Sequence, residues 1–393
     1  MKDAILVLNC GSSSIKFALF DAAGPTIPRH PFWNGKVDGI TSAHPTMGET
    51  GVEPRLVALD GTRPYHAALE QIRHRVTTRL GDDWHVAAVA HRVVHGGSKY
   101  FQPVRMDAAV LADLRSYIPL APLHQPFALE AIEELTVIDP DLPQVACFDT
   151  AFHCNIAPVE QMFALPWSAW ERGIRRYGFH GLSYEYMSRA LPERHGNAAR
   201  GRTIVAHLGS GASLCAMHDL RSVATSMGFS ALDGLVMGTR CGSLDPGAVI
   251  YLMEIERMSL AEVARMLYHD SGLVGISGVS ADPRDLLPLE DENPRVRASL
   301  ALYVRRIVRE IGALTAVLGG LDMLVFTAGI GEHNDVLRAR IVEALAFLGA
   351  RLDTEANARH APVISRPDSP VTVGVENTNE EWIAAWHAAH VLA

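Results

Sequence analysis

Two stretches of the chain share one pattern of apolar and small polar residues. Residues 4–20 read as an apolar strand, a turn of Gly and Ser, and a second apolar strand, and residues 203–217 repeat that order. The two copies align Gly11 on Gly209. Each copy predicts two strands joined by a glycine turn. Because the copies are separated by about half of the chain, the pattern indicates a duplicated fold.

The remaining periodicity predicts alternating strands and helices in both halves. The strongest helix signal covers 295–318, where Leu300, Val304, Ile307 and Ile311 recur at spacings of four and three. Thr378 and Glu381 read as a capping box for a terminal helix, whereas 24–51 and 150–180 read as irregular. Further helices are predicted at 64–80, 107–115, 126–136, 246–256, 260–268 and 334–348, and further strands at 52–59, 86–90, 143–148, 323–326 and 371–375.

This alternation predicts an α/β fold with two related domains. The expected first domain is 1–149 together with 380–393, which packs back on it, and the expected second domain is 150–379. We expect the active site in the cleft between the two domains.

Composition narrows the class of protein. The 393 residues are 48% hydrophobic and 20% charged with a net charge of −9, which is typical of a soluble globular enzyme and disfavours binding to nucleic acid or to an anionic membrane. Five cysteines without a C-x-x-C spacing favour reduced thiols. No basic signal peptide or apolar span is found, so a cytoplasmic location is expected.

The two glycine turns are candidate phosphate sites. Without side-chain bulk, their backbone N–H groups can approach a phosphate closely. A plain hairpin is the alternative for each turn, and the repeat favours the phosphate interpretation. Neither turn is a P-loop or a dinucleotide-binding G-x-G-x-x-G sequence, and no His-Glu-x-x-His run supports a metallohydrolase.

Polar residues follow several predicted strands. Asn9, Arg92 and Asp149 each stand where an apolar strand ends, and sites of open α/β folds collect at such ends. Arg92 is a candidate anion-binding residue, with a surface ion pair as the alternative. Asp149 is equally interpretable as a turn cap.

Other candidate residues lie in loops of the second half. Arg240 stands in a loop of small residues from which a guanidinium can reach a phosphoryl group. His180 is flanked by glycines, with a structural core histidine as the alternative. Asp282 and Arg284 also fit a solvated turn pair. Glu380 is a candidate Mg²⁺ ligand at the start of the terminal helix.

Taken together, the segments resemble the acetate kinase family, the short-chain acyl kinases of the actin-like ATPase superfamily. Ten blocks match in order across essentially the whole chain. They are 8–16, 91–97, 122–124, 148–153, 176–181, 207–209, 237–240, 271–278, 329–332 and 378–381. The resemblance implies a duplicated actin-like (ribonuclease H-like) fold with an active-site cleft between its domains.

The resemblance also implies a role for each matching residue. Asp149, His180 and Arg240 are implied to be catalytic, with Asp149 as proton donor or acceptor and positioning group. Arg92 is implied to bind the acyl substrate, beside an apolar pocket of Val94, Leu123 and Phe179. Asn9 and Glu380 are implied to hold Mg²⁺ or Mn²⁺. The residues implied to bind ATP or ADP are Lys16, His207, Leu208, Gly209, Ser210, Gly211, Asp282, Pro283, Arg284, Gly329, Ile330, Gly331, Glu332 and His333.

The implied reaction is reversible, direct in-line transfer of the γ-phosphoryl group of ATP to acetate, which gives acetyl phosphate and ADP. A homodimer is implied as well. Propionate or butyrate kinase is the runner-up. An actin-like ATPase switch is the alternative from another class, although such a switch has no need of Arg92, Asp149 and Arg240 together.

Four positions depart from the usual pattern of the family. Ser210 and His333 each replace an Asn in a nucleotide turn, and Ser243 replaces an Asp. Ala231 replaces a proline that lines the acyl pocket. We expect the first three to affect nucleotide preference and the last to widen the pocket toward propionate.

Overall fold

Two β-sheets organise the chain, and each belongs to a different structural unit. The computed structural model describes residues 1–11, 13–122 and 124–392. The first sheet contains β1 (Lys2–Cys10), β2 (Ser14–Asp21), β3 (Trp33–Asp38), β4 (Thr46–Glu49), β5 (Val52–Leu56), β6 (Trp84–Val93), β7 (Val104–Arg105) and β8 (Gln144–Phe148). The second contains β9 (Thr203–Leu208), β10 (Ala212–His218), β11 (Arg221–Thr225), β12 (Met323–Thr327) and β13 (Thr372–Val375).

Helices connect and cover these strands. In the first half and at the C-terminus they are α1 (Pro64–Leu80), α2 (Ala108–Ser116), α3 (Gln125–Ile138) and α15 (Glu380–Leu392). The others are α4 (Pro158–Gln161), α5 (Trp167–Glu171), α6 (Gly181–His195), α7 (Pro246–Glu254), α8 (Leu260–His269), α9 (Gly272–Ser277), α10 (Pro283–Leu286), α11 (Pro294–Leu318), α12 (Ala328–His333), α13 (Asp335–Ala344) and α14 (Thr354–Ala358). Among the described helices, none is long and apolar enough to span a bilayer.

The chain divides into two units with the same sheet topology. Unit 1 is Met1–Ala151 with Asn379–Ala393, and unit 2 is Phe152–Thr378. In unit 1 the strand order includes β3-β2-β1-β6-β8, and in unit 2 it is β11-β10-β9-β12-β13. In both series the first two pairings are antiparallel and the last two are parallel. The predicted duplicated α/β fold is thereby confirmed.

The two glycine turns differ in length by one residue. Asn9 pairs with Lys16 across the first hairpin, whereas His207 pairs with Ser213 across the second. The gapless alignment of Gly11 on Gly209 therefore does not continue into the following strand. As a result, Lys16 of unit 1 and Ser213 of unit 2 occupy the same place in the two hairpins.

Most of the predicted elements are present, and the differences are local. The helix predicted at 64–80 is α1, and the apolar face of α11 is buried, with Tyr303 in place of Val304. The segment 24–51 contains β3 and β4, which sequence analysis missed because glycines and prolines interrupt their apolar pattern. Arg92 lies within β6 rather than after it.

The terminal helix begins differently from the prediction. Asn379 accepts a hydrogen bond from the backbone N–H of Trp382 at 3.0 Å, so Asn379 caps α15. The predicted capping box of Thr378 and Glu381 is wrong, because the Thr378 hydroxyl bonds to Ser183 at 2.8 Å instead. Within unit 1, α15 packs against β1, β6 and β8.

Candidate active site

The candidate residues of unit 1 are grouped around an ion pair at the ends of two parallel strands, β6 and β8. Arg92 donates from Nε to both carboxylate oxygens of Asp149 (3.0 and 3.1 Å) and from Nη2 to Oδ2 at 2.6 Å. Asp149 is only 2% exposed. Burial opposes the charged form of Arg92, but Asp149 and Glu380 together raise its pKa above the ordinary value. The arrangement fixes the guanidinium plane by a bidentate contact.

Two oxygen donors lie beside the remaining amino group of Arg92. Its Nη1 is 3.4 Å from Oδ1 of Asn9 and 3.4 Å from Oε2 of Glu380. An amide oxygen and a carboxylate are ligands suited to Mg²⁺, which needs few protein ligands because phosphates and water complete its shell. These donors therefore fit a magnesium site. Among the described residues, no group of three or more His, Cys, Asp or Glu side chains is arranged to hold a metal by itself.

Lys16 and Glu381 lie beside this centre. The exposed Lys16 follows the first glycine turn and lines an open cavity of about 430 Å³ together with Asn379 and Glu381. Burial and the charge of Glu380 raise the pKa of Glu381 above its ordinary value, against the opposing effects of Lys16 and Arg92. Glu381 is thus a third carboxylate near the guanidinium of Arg92, after Asp149 and Glu380, and not a helix cap.

The loop after β6 carries the half-buried Val94, one of the predicted pocket residues. The fully buried Gln125 holds this loop, since its side chain accepts from the N–H of His95 at 3.1 Å and donates to the carbonyl of His95 at 3.0 Å. Thr150 accepts a third hydrogen bond from the N–H of Gly96 at 3.2 Å. Leu123, also predicted for the pocket, lies outside the described residues.

In unit 2, the second glycine turn is where two predicted catalytic side chains meet. A Cβ atom added to Gly211 would lie 3.2 Å from Nε2 of His180 and 3.6 Å from Nη1 of Arg240. Glycine therefore leaves room for this close approach. The structure brings the imidazole, the guanidinium and the turn together, as expected for groups that act on one phosphate.

The backbone around His180 is unusual. His180 adopts the left-handed region with φ of 59°, a conformation that residues with a side chain rarely take. The preceding residue, Phe179, is buried and accepts a hydrogen bond from Nε2 of His153 at 3.0 Å. His153 also bonds through Nδ1 to Ser222 at 2.8 Å. His153 therefore holds the segment that presents both Phe179 and His180.

Arg240 lies in a loop that is fixed by its neighbours, although its composition suggested flexibility. The N–H of Ser271 donates to the carbonyl of Thr239 at 3.0 Å, and the N–H of Leu273 donates to the carbonyl of Met237 at 2.9 Å. Nη1 of Arg240 donates to the carbonyl of Ala231 at 3.0 Å. Burial lowers the pKa of Arg240 below its ordinary value. The contact with Ala231 thus helps to position the guanidinium.

His207, which was assigned to nucleotide binding, packs on His180. Their rings stack with centroids 4.1 Å apart, and Nδ1 of His207 bonds to Ser183 at 2.9 Å. Leu208 is buried at the end of β9, whereas Ser210 is exposed at the tip of the turn. Gly209 lies close to Ala328 at the start of α12. The second turn and the segment 329–333 are therefore neighbours.

The segment 328–333 is the short helix α12 and not a turn. Gly329 and His333 are exposed, Gly331 is buried and Ile330 is half-buried. Glu332 accepts hydrogen bonds from the N–H groups of Ala328 at 2.8 Å and Thr378 at 3.0 Å, so its carboxylate has a structural contact. In the predicted nucleotide segment 282–284, Arg284 donates a hydrogen bond to the carboxylate of Asp282 at 2.6 Å. Pro283, between them, is buried.

Several residues that hold the candidate groups escaped sequence analysis. Gln125 and Thr150 fix the Val94 loop in unit 1, and Tyr184 and Ser213 contact His180 in unit 2. Thr150 stands next to Asp149 in a matching block, which was a usable signal. The other three are common residue types without a distinguishing pattern, and only their contacts identify them.

Comparison with known proteins identifies the family of the chain. The sequence model of the Acetokinase family matches residues 4–386. The chain is 48% identical to "Acetate kinase" of Rhodopseudomonas palustris (strain ATCC BAA-98 / CGA009), over 98% of each chain. The resemblance found in the sequence is thereby confirmed.

Solved structures agree with this result. The crystal structure of Porphyromonas gingivalis acetate kinase superimposes with a TM-score of 0.87 at 33% identity, over 100% of each chain. That of a propionate kinase from Francisella tularensis subsp. tularensis SCHU S4 gives a TM-score of 0.90 at 34% identity, over 98% of each chain.

A glycine substitution tests the packing of the Arg240 loop. Gly272 has φ of +63°, and a Cβ atom there would lie 2.2 Å from the carbonyl oxygen of Met237. We expect Gly272→Ala to lower the free energy of unfolding by about 1–3 kcal/mol more than Gly319→Ala. Gly319 is a matched control because its φ is +70° and no atom lies within 4 Å. Urea unfolding measures the free energy of unfolding of both variants. Equal decreases in the two variants would contradict the close packing of Gly272 against Met237.

Buried histidines predict a pH dependence of stability. Burial lowers the pKa values of His91, His95 and His153 from 6.5 to about 4. Below about pH 6.5 the histidines of the unfolded chain therefore take up protons, while those of the folded protein do not. The free energy of unfolding is highest above that pH and falls as the pH is lowered toward 4. Each group contributes a loss of up to about 3 kcal/mol by pH 4.

Urea midpoints between pH 7.5 and 4.5 measure this effect. His153→Asn should lower the midpoint at pH 7.5 and flatten the pH dependence. The exposed His44→Asn should change neither. A pH dependence as steep in His153→Asn as in the unchanged protein would show that His153 titrates normally.

Proposed function

Because the chain belongs to the acetokinase family, we propose that it catalyses the reversible transfer of the γ-phosphoryl group of ATP to acetate, giving acetyl phosphate and ADP. It is a phosphotransferase with a carboxyl group as acceptor. The observation that carries the proposal is the approach of His180 and Arg240 to the same glycine of the second turn. These two donors suit a phosphoryl group whose negative charge is spread over several oxygens.

Charge neutralisation is the main task of such an enzyme. Acetate and ATP are both anions, and a carboxylate oxygen is already a competent nucleophile that needs no base. Arg92 binds the acetate carboxylate, and its bidentate contact with Asp149 keeps the guanidinium oriented. Both oxygens of Asp149 accept hydrogen bonds from Arg92, so we assign Asp149 to positioning. Val94, in the loop after β6, provides apolar surface for the methyl group.

Arg240 and His180 stabilise the charge that develops during direct in-line transfer. Arg240 donates to the backbone carbonyl of Ala231 and lies beside the sulfur of Met237, and these contacts hold the guanidinium in place. In unit 2, the second glycine turn, the neighbouring segment 329–333 and residues 282–284 bind the nucleotide. Asn9 and Glu380 would hold Mg²⁺ or Mn²⁺, which supplies charge neutralisation to the nucleotide phosphates when bound.

Propionate is the second candidate acceptor. Ala231, whose carbonyl contacts Arg240, is smaller than the proline usual in the family and leaves more room. A propionate kinase is also among the matching structures. Apolar pockets discriminate one methylene group by only about 1–3 kcal/mol, so we propose acetate as the preferred acid with measurable turnover of propionate.

Trapping of acyl phosphate with hydroxylamine tests the reaction. With ATP, Mg²⁺ and acetate we expect hydroxamate, and Arg240→Ala should lower kcat by about 10³-fold or more, since the lost guanidinium contacts the migrating group. Arg305→Ala, on the solvent-facing side of α11, is the matched control and should retain full activity. ATP hydrolysis without hydroxamate from any short acid would support the nucleotide-switch alternative.

We also propose that the protein is a cytoplasmic homodimer. Helix α7 has no buried residue and exposes Ile250 and Tyr251, and Leu260 of α8 is 72% exposed. Exposed apolar surface of this kind is typical of an interface between subunits. All five cysteines are free thiols, in agreement with a reducing compartment.

Light scattering on a sizing column tests the dimer. We expect twice the chain mass of 42.7 kDa for the unchanged protein and a shift toward the monomer for Ile250→Glu combined with Leu260→Glu. Val137→Glu changes an equally exposed apolar residue on α3 and should leave the mass unchanged. A monomeric unchanged protein at micromolar concentration would contradict the proposal.

A further inference from the structure

A chain of three buried polar groups ends on the catalytic imidazole candidate. Nδ1 of His180 lies 2.8 Å from Oγ of Ser213, and the same Oγ lies 2.5 Å from the hydroxyl of Tyr184. Ser213 and Tyr184 are fully buried. Tyr184 stands one helical turn after His180, and its N–H donates to the carbonyl of His180 at 3.1 Å. Both ends of the chain are therefore carried by the start of α6, with β10 supplying the middle group.

The chemistry of the three groups favours one direction for their hydrogen bonds. A phenol is a stronger acid than an aliphatic alcohol, which favours Tyr184 as the donor and Ser213 as the acceptor in the short contact. The single hydroxyl proton of Ser213 is then left for Nδ1 of His180, which accepts it. An imidazole that accepts at Nδ1 carries its own proton on Nε2.

The ring is also fixed in orientation. It stacks on His207 at 15° between planes, and Nδ1 of His207 is in turn bonded to Ser183. The left-handed backbone of His180 leaves its Nε2 beside Gly211, where Nη1 of Arg240 also lies. The Nε2 atom is thus the one that faces the turn.

We propose that Tyr184 and Ser213 are positioning residues that hold His180 in its Nε2–H tautomer, so that the imidazole donates a hydrogen bond to the phosphoryl group. The consequence for catalysis rests on the proposed function, whereas the tautomer of His180 does not depend on that function. Phosphoryl oxygens only accept hydrogen bonds. In the other tautomer a lone pair of Nε2 would face them, and the contact would be repulsive.

The loss of the orienting hydroxyl has a predictable effect. We expect Ser213→Ala and Tyr184→Phe to lower kcat by about 10- to 100-fold, by analogy with groups that orient metal-bound imidazoles. The KM values for ATP and acetate should change less than about threefold, since the hydrogen bond strengthens only as charge develops in the transition state. Ser213→Thr keeps the hydroxyl and should restore most of the activity.

Nitrogen-15 NMR of the histidine-labelled full-length protein at pH 7.5 measures the tautomer directly. His180→Gln identifies the signal, and we expect a protonated Nε2 and an unprotonated, hydrogen-bonded Nδ1 in the unchanged protein. In Ser213→Ala the signals should move toward a mixture of tautomers. Tyr303→Phe removes another fully buried tyrosine hydroxyl, on α11, and should change neither the signals nor kcat.

The outcomes separate this inference from the proposed function. A proton on Nδ1 of His180 in the unchanged protein, or an unaltered His180 signal in Ser213→Ala, would overturn the tautomer assignment even if acyl phosphate forms. An Nε2–H tautomer in a protein that forms no acyl phosphate would support the assignment and refute the kinase. A fall in kcat equal in Ser213→Thr and Ser213→Ala would show that shape and not the hydroxyl matters.

Discussion

The charge of one buried carboxylate is the constraint on which the unit 1 centre depends. Asp149 is almost wholly removed from water, and a carboxylate in that position is costly unless a cation and hydrogen bonds compensate it. Arg92 provides both through two of its nitrogens. The parallel pairing of β6 and β8 makes this possible, because it brings the ends of the two strands side by side. The remaining nitrogen of the guanidinium then lies between Asn9 and Glu380.

Unit 2 uses the same architecture with a different chemistry. Neutral groups contribute to holding its side chains: His180 bonds to a serine hydroxyl, Arg240 to a backbone carbonyl, and His153 to a serine and a carbonyl. The duplicated hairpins also differ, because Lys16 and Ser213 take equivalent places in them. One copy carries an exposed charged side chain after its turn, and the other carries a buried hydroxyl.

Several of the supporting contacts are between residues far apart in the sequence. Gln125 bonds to the backbone of His95 across 30 positions, and Ser183 bonds to Thr378 across 195. A glutamine or a serine has no property in the sequence that reveals such a partner. Arg338 is a similar case: it is buried and donates to the carbonyls of Gly331 and Glu332, which supports α12.

The sequence by itself determined the repeated strand pairs, the helices α1 and α11 and the family, because hydrophobic periodicity and short motifs are local properties that need no knowledge of packing. It also identified Arg92, Asp149, His180 and Arg240 as candidates, because they stand at strand ends or in glycine-rich loops. It missed β3, β4 and α6, and it misassigned the cap of α15. Only the tertiary structure decided which carboxylate pairs with Arg92, which atom of His180 faces the second turn, and which residues hold both. Those facts depend on contacts between distant segments and on burial, and a linear pattern contains neither.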